Sequence, residues 1–141
     1  MATDAVLKRH LKIMIVDEHA AFRGVVRSVL QSAGWDCVEC ENGQDAVEEF
    51  ARSKPDLVLM DIGMEHLDGL TATAQIKARF PAARIMILSQ YDEPELRAAA
   101  DRAGACGYIL KGDLVSLPTA IEAQTPAATN GSNAAAPSAL I

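Results

Sequence analysis

Four apolar runs in this 141-residue chain each end on a side chain able to take part in polar chemistry. Ile13-Met14-Ile15-Val16 is followed by Asp17 and Glu18, Leu57-Val58-Leu59-Met60 by Asp61, Ile85-Met86-Ile87-Leu88 by Ser89, and Tyr108-Ile109-Leu110 by Lys111. If the runs are parallel strands of one open sheet, their carboxyl ends share an edge, where such folds bind ligands. The pattern predicts one site holding three acids, a hydroxyl and an ammonium. Carboxylates gathered at a partly dry edge repel one another, and a bound cation relieves the repulsion. A small set of oxygen ligands favours Mg2+, which keeps several waters and takes its other ligands from carboxylates and a phosphate. A carboxylate beside such an ion can attack phosphorus and form an acyl phosphate. Lys111 and the cation would neutralise the transferring group, and the Ser89 hydroxyl could donate to one of its oxygens.

Each residue also has a plainer reading. Asp61 alone would be a turn former, Asp17-Glu18 a helix N-cap, and Lys111 a solvated surface lysine. Their joint occurrence at the same end of four strands is what favours chemistry.

The elements that must position them follow from hydrophobic period. Continuous apolar runs mark parallel strands covered on both faces, and the more mixed stretch Trp35 to Cys40 reads as an edge strand. Between strands, Phe22, Val25, Val26, Val29, Leu30 and Ala33 follow helical spacing and stop at Gly34. Asn42 caps a short helix through Phe50, Leu70 to Phe80 ends before Pro81, and Glu93 to Ala103 starts beside Pro94 and stops at Gly104. A last helix is expected over Leu114 to Ala123. Five βα units in a row predict an α/β fold, a five-stranded, doubly wound parallel sheet of the flavodoxin-like kind.

Composition sets outer limits. Half of the residues are hydrophobic and the formal net charge is −6, which suits a soluble acidic domain and argues against direct nucleic-acid or anionic-lipid binding. The basic cluster Lys8-Arg9-His10-Lys12 reads as a solvated leader over 1–10. No stretch approaches the ~20 apolar residues of a membrane span, and no signal-peptide pattern opens the chain, so the expected location is cytoplasmic. Cys37 and Cys40, three apart on a strand, point to opposite faces and read with the third cysteine as reduced packing residues rather than as a metal or redox pair. After Gln124 the sequence turns to Ala, Thr, Ser, Asn, Gly and Pro without period, giving one folded domain over 11–123 and a flexible tail or truncated linker over 124–141.

The segments "IMIVDEHAAFR", "PDLVLMDIGMEHLDGL", "RIMILSQYDEPE" and "AGACGYILK" together resemble the receiver domain of bacterial two-component response regulators, in order and in spacing. The likeness is to CheY-like receivers, above all those that precede helix-turn-helix output domains. The resemblance implies that Asp61 accepts a phosphoryl group from a phosphohistidine on a sensor histidine kinase or phosphotransfer protein. It also implies that Asp17, Glu18, Asp61 and the backbone carbonyl of Gly63 hold Mg2+. Ser89 matches the switch hydroxyl, Tyr108 the switch aromatic and Lys111 the phosphate-pairing lysine. Phosphotransfer and autodephosphorylation would be self-catalysed rather than conventional turnover. The surface of the fourth helix, fifth strand and fifth helix would then act on a downstream protein target or on an output domain beyond this chain.

Three positions depart from the family pattern. Glu18 replaces the usual second Asp and adds a methylene, Glu65 stands at a common Pro and adds charge, and Gly112 follows Lys111 where many members have Pro. A receiver acting by protein docking without phosphorylation stays open on that ground. A phosphatase using an aspartyl phosphate would want a second acid two positions after Asp61, where Gly63 stands. A cobalamin-binding domain would want Asp-x-His-x-x-Gly, which Asp17-Glu18-His19 begins and Phe22 breaks. His19 then reads as a helix-start residue and His66 as an exposed loop residue. Gly63 offers no side chain to guide an attacking water and Tyr91 stands close to Ser89, so slow autodephosphorylation is expected.

Overall fold

The computed structural model describes residues 10–64 and 67–125; the expectations for Glu65, His66 and the 126–141 tail lie outside the described residues. Five strands, β1 (Lys12–Val16), β2 (Asp36–Cys40), β3 (Leu57–Met60), β4 (Ile85–Ser89) and β5 (Gly107–Leu110), form one sheet in the order β2-β1-β3-β4-β5. All neighbouring pairs are parallel. Five helices connect or follow them: α1 (Ala20–Ser32), α2 (Gly43–Ser53), α3 (Gly69–Arg79), α4 (Pro94–Ala103) and α5 (Leu117–Gln124). This is the doubly wound, flavodoxin-like order that the alternating signals predict.

Strand alternation divides the core in two. Met14, Val16, Val58, Met60, Ile85 and Ile87 face α2, α3 and α4 through Phe50, Ile76 and Ala100. Ile13, Ile15, Leu57, Leu59, Met86 and Leu88 face α1 and α5 through Val26, Leu30, Leu117 and Ile121. Adjacent residues of a strand point to opposite faces, so a strand buried on both sides must be apolar at every position. Cys37 and Cys40 obey the same rule, one packed in each cluster, and all three cysteines are free thiols. Burial pushes the Cys40 thiol up to about 12, in keeping with a packing role.

Four local expectations are corrected. β5 is an edge strand bonded to β4 alone, and every position in it is only half buried, so its apolar run does not mean cover on both faces. Lys12 belongs to β1 rather than to a solvated leader, and its ammonium donates to the Ser53 carbonyl at 2.9 Å. α2 continues past Phe50 to Ser53, because Lys54 takes the left-handed conformation (φ 49°) and its N–H caps the Phe50 carbonyl. No glycine marked that stop.

The last helical segment is two pieces, a 3-10 turn over Leu114–Ser116 and then α5. Pro118 explains the break. It lacks the N–H that would bond the Leu114 carbonyl in an α-helix, and Leu117 N–H, three residues on, takes that carbonyl instead.

Candidate functional site

The strand order reverses between β1 and β3, and the crevice of such a sheet opens there, at the carboxyl ends. Asp17 follows β1 and Asp61 follows β3, each held by a ladder bond beyond its strand: Asp17 N–H to the Cys40 carbonyl at 3.1 Å, Asp61 N–H to the Val16 carbonyl at 3.0 Å. Both carboxylates are sequestered, with Asp17 2 % and Asp61 7 % exposed. Lys111, from the end of β5, lies between them. Its ammonium is 2.7 Å from Asp17 Oδ2 and 3.2 Å from Asp61 Oδ1.

The electrostatics follow from that burial. Desolvation pushes the Asp61 carboxyl above the ordinary aspartate range, the nearby Asp17 charge adds to it, and Lys111 and the Gly63 N–H pull it back. Burial works against the Lys111 ammonium, but the Asp17 hydrogen bond and the two carboxylate charges outweigh it and raise its pKa. A sequestered carboxylate with a raised pKa beside a fixed cation is the kind of displaced titration that marks a candidate chemical site.

Ser89, 1 % exposed at the end of β4, accepts the Tyr91 N–H on its hydroxyl at 3.0 Å. Tyr108 in β5 donates its hydroxyl to the Tyr91 carbonyl at 2.6 Å. The two residues are therefore joined through the backbone of Tyr91, and a shift of the Ser89 hydroxyl reaches the Tyr108 ring in two bonds. The Arg97 guanidinium of α4 lies 4.5 Å from the Tyr108 ring centroid and its Nε bonds Asp92 at 2.7 Å. Asp61, Gly63, Ser89, Tyr91 and Lys111 line one pocket of about 340 Å³.

Glu18 is half-buried, and its carboxylate lies 4.0 Å from His19 Nε2. His19 also holds Asp17 Oδ1, by its backbone N–H at 2.8 Å and by its ring Nδ1 at 3.1 Å. Asp17, Glu18, Asp61 and the Gly63 carbonyl form an oxygen-only donor set, which suits a hard cation such as Mg2+. In this arrangement Lys111 and His19 take up the Asp17 oxygens, and among the described residues no three His, Cys, Asp or Glu side chains are gathered as a metal set. The donor chemistry suits Mg2+, and Asp17 would have to exchange its present partners to hold the ion.

Several positioning residues escape a reading by residue type. Arg23 of α1 bonds the Asp17 carbonyl at 2.6 Å and Glu39 at 2.9 Å, tying the acidic loop to β2. Gly69 opens α3 hard against Asp61: a Cβ there would lie 1.9 Å from the Asp61 carbonyl oxygen. Asp68 starts this helix by accepting the Thr71 N–H at 2.8 Å, and the close approach of Gly69 is a distance that residue type does not report. Phe22 reads as a core position from its period and is found with its ring 4.5 Å from the Lys111 ammonium.

Comparison with known proteins bears on the family of the chain and on its fold. Residues 13–122 match the response regulator receiver domain. The chain is 40% identical to the chemotaxis protein CheY of Bacillus subtilis over 101 residues, 71% of this chain and 84% of that protein. It is 34% identical to the transcriptional regulatory protein DegU of Brevibacillus brevis over 110 residues, 77% of this chain but only 47% of that protein. Among solved structures, a LuxR-family two-component response regulator from Aurantimonas superposes with TM-score 0.79 at 32% identity, covering 82% of this chain and 84% of that one. A CheX–CheY–BeF3–Mg2+ complex from Borrelia burgdorferi shares the fold, with TM-score 0.76 at 22% identity and coverage of 80% of this chain and 87% of that one. The chain therefore belongs to the response regulator receiver domain family.

Proposed function

We propose that this protein is a phosphorylation-dependent signalling domain in which Asp61 accepts a phosphoryl group from a sensor histidine kinase or phosphotransfer protein. The observation that carries this reading is Lys111 set between two sequestered carboxylates at the point where the strand order reverses. Asp17, Glu18, Asp61 and the Gly63 carbonyl would hold Mg2+, which when bound supplies positive charge to the phosphoryl oxygens. Asp61 attacks the phosphorus through a carboxylate oxygen, and the donor's imidazole leaves. Lys111 keeps its place beside Asp61 and exchanges Asp17 for a phosphoryl oxygen, so charge developing on the group meets a preorganised ammonium.

The switch runs through residues already in contact. A phosphoryl oxygen on Asp61 draws the Ser89 hydroxyl, the Tyr91 N–H loses its acceptor, and the Tyr91 carbonyl moves with the Tyr108 hydroxyl bonded to it. Displacing Tyr108 alters the surface of α4, β5 and α5 presented to a target protein or output domain. Moving such an equilibrium from mostly inactive to mostly active takes roughly 5 kcal/mol of differential interaction, within the range of a doubly charged group making several new bonds. The domain boundaries at 11 and 123 and a cytoplasmic location belong to the same reading; among the described residues no helix is long and apolar enough to cross a membrane.

Intact-mass measurement after incubation with Mg2+ and acetyl phosphate tests the proposal, with Asp61→Asn alongside. One phosphoryl adduct, dependent on Mg2+ and absent from the variant, is expected. No adduct on folded protein, together with no response of the backbone NMR spectrum to beryllofluoride, would favour a receiver that works by docking alone.

A further inference from the structure

Lys111 has a third neighbour besides the two acids. Phe22, in the first turn of α1, places its ring centroid 4.5 Å from the Lys111 ammonium and lines the same pocket as Asp61, Ser89 and Lys111. The ring also packs against the core cluster on the α1 face, so its position is set by the fold rather than by the lysine. An ammonium over an aromatic face is attracted by the ring's electron density, and more strongly where water is scarce. Unlike a carboxylate, the ring takes no proton, binds no hard cation and adds no negative charge to a site already holding two acids.

We infer that Phe22 is a positioning residue for the phosphoryl chemistry, holding the Lys111 ammonium inside the pocket while its carboxylate partners change. The inference rests on the receiver reading above. In the present arrangement Lys111 bonds Asp17 at 2.7 Å, the shorter of its two acid contacts. Accepting a cation on Asp17 removes the first contact, and the phosphoryl group on Asp61 brings its own oxygens to the ammonium in place of it, so Lys111 must stay inside the pocket while its partners exchange. The lysine stem is a flexible four-carbon chain, and released from Asp17 it gains rotamer freedom by swinging to solvent. The Phe22 ring is the one contact of the three that the reaction leaves unchanged.

The test is the rate of Asp61 phosphorylation by acetyl phosphate with Mg2+ in Phe22→Leu, Phe22→Met and Phe22→Tyr, each also combined with Lys111→Met. Leu and Met keep the packing volume but lose the ring face, and melting temperatures verify the fold. The expected result is a rate about 5- to 10-fold slower for Leu and Met, and within about twofold of wild type for Tyr. In the Lys111→Met background the Phe22 substitutions should have no further effect, a coupling that a packing role would not produce. In NMR spectra, ring-current shifts of the Lys111 side-chain methylene protons should vanish in Phe22→Leu and persist in Phe22→Tyr. A phosphorylated wild type whose rate ignores Phe22, or whose Phe22 effect survives removal of Lys111, overturns this inference alone. A wild type that takes no phosphoryl group overturns the receiver chemistry, and this role for Phe22 with it.

Discussion

The two ends of the sheet carry the same residue types and use them differently. At the amino end, exposed Asp56 accepts the Lys12 N–H at 2.8 Å, Lys12 donates to the Ser53 carbonyl, and exposed His10 and Asp36 meet at 2.9 Å. These contacts stitch β1 to β2 and β3. At the carboxyl end, Asp17, Asp61 and Lys111 share one ammonium between two sequestered acids, and the acceptor's pKa is displaced. Burial, not residue type, separates a structural ion pair from a chemical one, because only the dry end makes charge costly enough to respond to a ligand.

Removing the ammonium from each end should give the widest contrast. Lys111→Met leaves two buried carboxylates facing one another, and a loss of about 3 kcal/mol in urea unfolding at pH 7 is expected, with phosphorylation slowed about 100-fold. Lys12→Met should cost no more than about 1 kcal/mol and leave phosphorylation unchanged. Gly69→Ala forces the start of α3 away from the Asp61 carbonyl, and a loss of about 3 kcal/mol should appear in the same assay. Gly63, where a Cβ would meet nothing within 4 Å, provides the control: Gly63→Asn should leave stability within about 0.5 kcal/mol. Its amide, placed to orient water, should speed loss of the phosphoryl group several-fold.

Neutralising an acid should have opposite signs at the two ends. Asp61→Asn removes a charge held at a cost and should stabilise by on the order of 1 kcal/mol, whereas Asp56→Ala removes an acceptor and should destabilise by about the same. The pH dependence fixes the sign independently. The folded pKa of Asp61 lies above the unfolded value, so wild type loses stability as pH rises from about 4 through that folded value. The advantage of Asp61→Asn should therefore be absent at pH 3 and grow as pH rises through the folded value in thermal melts. A small effect of opposite sign is expected at the amino end, where Lys54→Gly relieves left-handed backbone strain and should add about 0.5 to 1 kcal/mol without altering phosphorylation.

The sequence exposes the carboxyl end well because strand ends and reactive residues are both local signals. Asp17, Asp61, Ser89 and Lys111 each follow an apolar run directly, and parallel topology alone brings them to one edge. The Ser89 to Tyr108 link is less legible, since it passes through the backbone of Tyr91, and no side-chain pattern encodes a backbone relay. Phe22 and Gly69 escape for a related reason: their roles are distances to residues 89 and 8 positions away in the chain, which helical period cannot report. The composition of β5 resembles that of the central strands and so implies cover on both faces, but composition does not say which strand is last in the sheet. Pro118 was the available warning against one continuous last helix.

The central claim is that Asp61, and no other acid of the two sheet ends, becomes the acyl phosphate. Borohydride reduction of the protein immediately after reaction with acetyl phosphate and Mg2+ converts a phosphorylated aspartate to homoserine, which peptide mass spectrometry locates. Homoserine is expected at position 61 alone, dependent on Mg2+, with Asp17, Asp36 and Asp56 unmodified. Modification spread across those aspartates, or absent from position 61 while present elsewhere, would contradict it.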